Sequence, residues 1–275
     1  MATKGIDCAQ PIPAATAKAI AAQGYRFVAR YLVPAGYRWK RLTRAEAEGI
    51  TAAGMTIISV FETTASRPAG GASNGRADGK AAFQEATDIG QPKGTAIYFA
   101  VDYDAQPNDY DEIEAYLRAA ARELGQYRTG IYGSYAVVEE MRRRGASQHY
   151  WQTYAWSRGR KSASANVWQY KNGVMVAGHP VDLNESYGNE GWWNTVVSEV
   201  TEGSDGAEGS EGSDGSAGSE DSGGEDANMM SKEDAEKIIR YLSAAWYATE
   251  IPEAREEFNR LANEVRKAAG LPLQS

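Results

Sequence analysis

The chain has 275 residues, and 29 Lys and Arg against 37 Asp and Glu give a formal net charge of −8. Mean hydropathy is −0.54 and no apolar run approaches the roughly 18 residues of a membrane span, so no transmembrane helix is expected. One cysteine, Cys8, excludes an intramolecular disulfide, two histidines exclude a His-rich metal site, and no basic nucleic-acid footprint is present.

The opening Met-Ala-Thr-Lys-Gly-Ile-Asp lacks a long apolar core, so no secretory signal is expected, and the lone cysteine suits synthesis in a reducing compartment. From there short β-rich runs alternate with helical ones. Strands are predicted near 5–9, 25–33, 55–62, 95–102, 128–132, 150–155, 167–170 and 180–183, and helices near 14–23, 43–53, 75–89, 109–125 and 136–144. The alternation argues for a parallel sheet, and eight strands argue for a closed β/α barrel at the small end of its size range. Gaps after the sixth and seventh strands are too short for full helices. A doubly wound open sheet is the alternative, but no Gly-rich dinucleotide fingerprint follows the first strand. Gly70, Gly71 and Gly75 make no phosphate loop, because Gly79-Lys80 lacks a following Ser or Thr and Asn74 stands where the motif needs glycine. That stretch is expected to be a mobile loop over the active face.

Residues 202–226 contain only Glu, Gly, Ser, Asp and Ala, with nine acids and no base. The rest of the chain has 28 acids against 29 bases, so the acidity belongs to a tether and the body is near neutral. A stretch with nothing to bury stays disordered, and like charges extend it. The expected organisation is a barrel over 1–201, an acidic Gly/Ser linker over 202–227 and a helical hairpin over 228–275. Ser231 opens a capping-box-like start, and Ile238, Ile239, Leu242, Ala245 and Trp246 follow helical spacing. Pro252 suits the first turn of a second helix, which Phe258, Leu261, Ala262 and Val265 continue and Gly270 and Pro272 end. Two short amphipathic helices make a thin core that needs a partner surface. Met229 and Met230 follow Gly223-Gly224-Glu225, whose codons can read as a ribosome-binding sequence. One expectation is therefore an internally initiated fragment that self-associates through the hairpin; the other is a pair of ordinary linker-end methionines.

The acids at the strand ends carry the chemistry. Asp7, Glu62 and Asp102 end predicted strands, Asp104 follows two residues later, and Asp182 sits in Pro-Val-Asp-Leu-Asn. In a β/α barrel the C-terminal strand ends converge on one face, so these acids are expected at one rim. Clustered carboxylates repel, and at least one tends to keep a proton near neutrality. A protonated acid beside an ionised carboxylate is the equipment of glycoside hydrolysis. Each acid taken singly is as well explained as a helix cap or a solvated loop residue. Asp102-Tyr103-Asp104 imitates an EF-hand start but fails at Pro107 and Ile113, and Ser59 and Ser134 have no evident His partner. No metal and no cofactor are expected. The excess of 16 Tyr and 7 Trp over 5 Phe suits ring stacking on sugars.

Gly5-Ile6-Asp7, Phe99-Ala100-Val101-Asp102-Tyr103-Asp104, Trp168-Gln169-Tyr170 and Val181-Asp182-Leu183-Asn184 together resemble the family 25 glycoside hydrolases, lysozymes (N-acetylmuramidases) on an irregular β/α barrel. With Arg30-Tyr31 and Phe61-Glu62 added, the resemblance is closer to the glycoside-hydrolase-like domain related to that family, over roughly 4–194. The hairpin resembles C-terminal segments of endolysins from phages of Bacillus-like hosts. The resemblance implies a phage endolysin that hydrolyses the peptidoglycan backbone, made in the host cytoplasm and reaching the wall by holin-type release, with no nucleic-acid or membrane partner. Family 25 enzymes carry Asp-x-Glu where this chain has Asp102-Tyr103-Asp104, and aspartate reaches one methylene less far. The resemblance then implies Glu62 or Asp104 as general acid and Asp102 as nucleophile or stabiliser, with Asp7 and Asp182 orienting them. Arg30, Tyr31, Tyr132, Trp168, Gln169 and Tyr170 are the candidate sugar contacts. A catalytically degenerate barrel that binds wall glycan without turnover is the alternative.

Overall fold

The computed structural model describes residues 2–196, 235, 238–239 and 252–272, and the chain divides into two units, Met1–Glu202 and Gly203–Ser275. In the first unit eight strands close into a barrel in chain order. They are β1 (Thr3–Asp7), β2 (Phe27–Tyr31), β3 (Thr56–Phe61), β4 (Ala96–Ala100), β5 (Arg128–Gly133), β6 (His149–Thr153), β7 (Val167–Val176) and β8 (His179–Ser186). Five helices fill the first connections: α1 (Ala14–Ala22), α2 (Arg44–Ala52), α3 (Gly71–Asp88), α4 (Tyr110–Glu123) and α5 (Tyr135–Arg144). The predicted barrel with flanking helices is the observed fold.

Local chemistry sets the helix ends. Thr43 Oγ1 accepts from the Glu46 amide at 3.2 Å to open α2, and Ser134 Oγ accepts from the Val137 amide at 3.3 Å to open α5. Arg142, Arg143 and Arg144 sit in the last turn of α5, against the negative end of its dipole.

The first seven strands run parallel, whereas β8 runs antiparallel to both β7 and β1. This corrects the expectation that every acid ends a parallel strand. The cause is the two-residue connection Ala177-Gly178, with φ of 50° and 77°. Positive φ at both central positions is the signature of the tight turn that joins antiparallel strands. So Asp182 reaches the rim from the early part of β8, and its register partner is Asp7.

Strand alternation divides the core in two. Phe27, Ala29, Ile58, Val60, Tyr98 and Trp151 fill the barrel interior, while Val28, Ile57, Ile97 and Ile131 pack outward with Ile20, Ile50 and Leu117 of the helices. At the interior floor a side chain on Gly5 would meet Phe27 Cζ at 2.2 Å, so only glycine admits that ring.

The glycine-rich stretch is not the expected mobile loop. Gly71 opens α3, and the helix lies close against α4. A Cβ on Gly75 would lie 2.2 Å from the Tyr116 carbonyl oxygen, and one on Gly79 would lie 2.7 Å from that of Ala120. The glycines are spacers for a backbone-to-backbone approach. Asp78 on the same face accepts from the Tyr116 hydroxyl at 2.7 Å and from Arg67 at 2.5 and 3.0 Å.

In the second unit the helix α6 spans Pro252–Ala268, opening on the predicted proline and closing before Gly270 at φ 64°. The predicted linker, the greater part of the first hairpin helix and the Met229 and Met230 start lie outside the described residues.

Gly75→Ala should destabilise the fold by about 1–3 kcal/mol, despite alanine's helix propensity advantage of about 1 kcal/mol. Gly36→Ala, with nothing within 4 Å of the new methyl, should be near neutral. Urea unfolding of the two variants distinguishes them.

Candidate active site

The inward set at the C-terminal ends of the strands forms the site. Gly5 and Asp7, Ala29 and Tyr31, Val60 and Glu62, Ala100 and Asp102, and Gly130 and Tyr132 are each two residues apart and share a face. The lower member is small or apolar, and the upper member is acidic or phenolic. Together with Trp151, Gln169, Asn172 and Asp182 the upper members line a cavity of about 110 Å³.

Asp7 lies at the bottom, 7% exposed. Its Oδ2 accepts from Gln169 Nε2 at 2.8 Å and from Asn184 Nδ2 at 2.6 Å. Both amides are oriented from behind. The Tyr132 hydroxyl donates to Gln169 Oε1 at 2.8 Å, and Trp151 Nε1 donates to Asn184 Oδ1 at 2.9 Å, so each amide has only its NH₂ left for the carboxyl. These bonds favour ionised Asp7, but burial and the facing Asp182 outweigh them and push its pKa up to about 7.

The other three acids are more open. Burial raises the pKa of Glu62, Asp102 and Asp182 alike. Lys40 opposes the shift at Glu62 and Asp102, and the Gly173 amide, 2.8 Å from Asp182 Oδ1, opposes it at Asp182. Lys40 is itself buried, with Nζ 3.7 Å from Glu62 Oε1 and 4.5 Å from the Tyr31 ring centre, and burial lowers its pKa. The one buried ammonium thus serves Glu62 and Asp102, while Asp7, out of its reach, has its pKa pushed up to about 7. One acid in its protonated form beside ionised partners can donate a proton and stabilise developing positive charge.

The structure brings together Asp7, Glu62, Asp102, Asp182, Tyr31, Tyr132 and Gln169. It places four other candidates elsewhere. Asp104 turns into a neighbouring cavity of about 230 Å³, lined also by Tyr135, Trp156, Arg158 and Arg160. Arg30 alternates with Tyr31 and therefore points outward. Fully buried, it makes a bidentate pair with Glu46 of α2 at 2.7 and 3.2 Å and donates to the Cys8 and Ala9 carbonyls. Trp168 and Tyr170 flank inward-facing Gln169 and lie on the outer face of β7, where Lys161 Nζ sits 4.0 Å from the Trp168 ring centre. Sequence reasoning gave no site role to Lys40, Asn172 or Trp151, nor to Asn184, which it quoted only within a motif. Asn184 was findable, being two residues from Asp182 on the same strand. Lys40 was not, since it comes from an irregular loop with no period. Among the described residues no group of three His, Cys, Asp or Glu has a metal-holding arrangement.

The family model described as "Rv2525c-like, glycoside hydrolase-like domain" matches residues 18–196. The Bacillus subtilis protein FadG is 31% identical over 158 residues, which are 52% of this chain and 27% of that protein. The Mycobacterium tuberculosis protein Rv2525c, provisionally named a peptidoglycan hydrolase, is 26% identical over 153 residues, 53% of this chain and 63% of that protein. The match thus spans less than two thirds of either relative. The crystal structure of the Tat-secreted Rv2525c with L-tartrate superposes with a TM-score of 0.63 at 25% identity, covering 70% of this chain and 98% of that one.

Because the folded pKa of Asp7 is raised, its contribution to stability is complete below the unfolded value of 3.8 and is lost as pH rises through about 7. Asp7→Asn keeps an acceptor for both amides and removes the penalty. It should melt several degrees above wild type at about pH 8, with the gain shrinking towards zero at about pH 4. Calorimetry at both pH values checks this.

Proposed function

Since the chain belongs to the Rv2525c-like, glycoside hydrolase-like domain family, we propose that it is a peptidoglycan glycosidase which cleaves the glycan backbone next to N-acetylmuramic acid. The observation that carries this reading is the convergence of Asp7, Glu62, Asp102 and Asp182 on one small cavity with raised proton affinity. Fold likeness alone does not assign chemistry, and the carboxylate cluster supports it.

Glu62 is the proposed proton donor. Burial keeps its proton above the ordinary carboxylate range, and the Lys40 ammonium at 3.7 Å attracts the carboxylate left after transfer to the leaving oxygen. The same carboxylate can then take the proton of the attacking water. Asp102, beyond the end of β4 and next to the β3 end that carries Glu62, would as a carboxylate stabilise the oxocarbenium-like charge on the sugar. Asp182 adds to that field. Asp7 keeps its proton near neutrality, which limits repulsion among the four.

Wild-type protein should clear Gram-positive walls in a zymogram and release fragments with new reducing ends at muramic acid. Glu62→Gln and Asp102→Asn should each lower the rate by about 10²–10⁴-fold. Walls that bind the protein yet release no fragments, or variants that clear like wild type, would overturn the hydrolase assignment in favour of glycan binding.

The wider role is proposed to be that of an endolysin, released from the cytoplasm to the wall, with 202–227 as tether and 228–275 as the wall-binding or self-association module. The supporting observation is the charge distribution: nine acids lie in 202–226, while residues 1–201 carry 20 acids against 22 bases. A tethered negative charge leaves the barrel free to approach an anionic wall. A fluorescent fusion of 228–275 should decorate target cells, and a dark cell surface would remove the wall-binding role.

A further inference from the structure

The two oxygens of Asp7 are used unequally. Oδ2 takes both amide donors, from Gln169 at 2.8 Å and from Asn184 at 2.6 Å, while Oδ1 takes no hydrogen bond among the described residues. The fully enclosed side-chain polar atoms that lack a partner are Tyr103 Oη, His149 Nε2, Trp168 Nε1 and Glu190 Oε2. Asp7 Oδ1 is not one of them, so it is open to the cavity that Asp7 lines.

The surroundings favour the neutral acid. The Gln169 amide nitrogen lies 2.8 Å from Asp7 Oδ2 and 3.3 Å from Asp182 Oδ2, so carboxyls from two paired strands crowd one donor, and Asp102 adds a third acid. The groups that face Asp7 from β2 and β5 are the phenols of Tyr31 and Tyr132, which burial keeps neutral, and the neighbouring Cys8 thiol has its pKa pushed up to about 12. Among the described residues no cation lies within ion-pair distance of Asp7. Lys40 is paired with Glu62, and Arg30 is paired with Glu46 on the outer face of the sheet. A buried carboxyl with acids on two sides and no base is more stable with its proton. The amides then decide which oxygen carries that proton. The carbonyl oxygen of a neutral carboxyl accepts and its hydroxyl donates, and Oδ2 is already committed to two N–H groups. The hydrogen belongs on Oδ1, the oxygen open to the cavity.

We infer that Asp7 binds substrate as a neutral acid, its Oδ1–H donating a hydrogen bond to an uncharged oxygen of the sugar, a hydroxyl or an amide carbonyl. This rests on the glycosidase reading, which puts a glycan in the carboxylate cavity, and deepens it by giving that site a pH gate. Asp7 keeps its proton throughout, unlike Glu62, whose proton is transferred. An ionised Asp7 can only accept, so it repels the oxygen it would otherwise hold. The contact is therefore complete at low pH and lost as pH rises through about 7. Asparagine copies the neutral acid and cannot ionise. Its carbonyl accepts from Gln169 and Asn184, and its NH₂ is left to donate into the cavity.

The test uses the full chain and a tetrasaccharide of alternating N-acetylglucosamine and N-acetylmuramic acid with amidated lactyl groups, so that no ligand group titrates near neutrality. An amide N–H is a weaker donor than a carboxyl O–H, so kcat/KM of Asp7→Asn should be about threefold below wild type at about pH 5. The order should reverse at about pH 8, where roughly nine-tenths of wild-type Asp7 is ionised and the variant should be about threefold faster. A second measurement does not depend on turnover. Titration calorimetry in buffers of different ionisation enthalpy should show Glu62→Gln taking up close to one proton per tetrasaccharide bound at about pH 8 and almost none at about pH 5. Asp7→Asn/Glu62→Gln should take up almost none at either. Circular dichroism and melting temperature report that each variant is folded. A folded Asp7→Asn without activity at about pH 5 would overturn the inference, because an amide donates a hydrogen bond but cannot give up the proton. Binding without proton uptake, together with parallel pH profiles for Asp7→Asn and wild type, would overturn it and leave the glycosidase reading standing. Proton uptake by Glu62→Gln that Asp7→Asn removes, with no cleavage by wild type, would support the neutral acid and overturn the glycosidase reading instead. If wild type neither binds nor cleaves the tetrasaccharide, both readings fall together.

Discussion

The structure turns on a buried carboxyl at the seam of the barrel. Asp7 ends β1, the strand that closes the sheet onto β8, and one of its oxygens receives amide protons from Gln169 of β7 and Asn184 of β8. Those contacts join chain segments separated by 162 and 177 positions. The amides can serve only because Tyr132 and Trp151 hold their other ends, so a single acid recruits four inward side chains from four strands. Burial in such a setting would strand a charge, and the group answers by keeping its proton up to about pH 7. The price of closing the sheet there is thus a proton held at the base of the cavity.

The reversal of β8 follows from a different constraint. Residues 154–166 are enough to carry β6 into a parallel β7, but only two residues join β7 to β8, and parallel neighbours need a crossover of a dozen or more. A tight turn at Ala177-Gly178 permits only an antiparallel return. That return sets Asp182 opposite Asp7, with side chains on one face of neighbouring strands. Like charges directly opposite one another are unfavourable, and this pairing adds to the raised proton affinity of Asp7. The reversed strand therefore adds a fourth carboxyl, Asp182, to the three that β1, β3 and β4 deliver.

Much of this was legible in advance, for reasons that differ by residue. Asp7, Glu62 and Asp102 stand at the ends of apolar runs, and strand parity carries them inward once the sheet closes. Arg30 was misplaced because Arg-Tyr reads as one motif, whereas adjacent strand residues face opposite sides; Tyr31 went into the cavity and Arg30 to Glu46 of α2. Trp168 and Tyr170 fail for the same reason, flanking Gln169 in β7. Asp104 lies beyond the strand, where parity no longer governs direction, and it turned to the second cavity. The glycines near 70–79 read as a flexible loop because composition alone cannot distinguish freedom from close approach. The backbone of α4 made them spacers.

The sequence by itself determined the number and order of the strands, the helices that bridge them, and which acids stand at strand ends, because these depend on local periodicity and on neighbours along the chain. Only the tertiary structure decided the direction of β8, the arrival of Lys40 beside Glu62, the amide clamp on Asp7 and the exile of Asp104 from the carboxylate cavity. Each of these joins groups far apart in sequence, and proton affinity depends on how deeply a carboxyl is buried and on which charges face it. Those are properties of packing, and no stretch of sequence carries them alone.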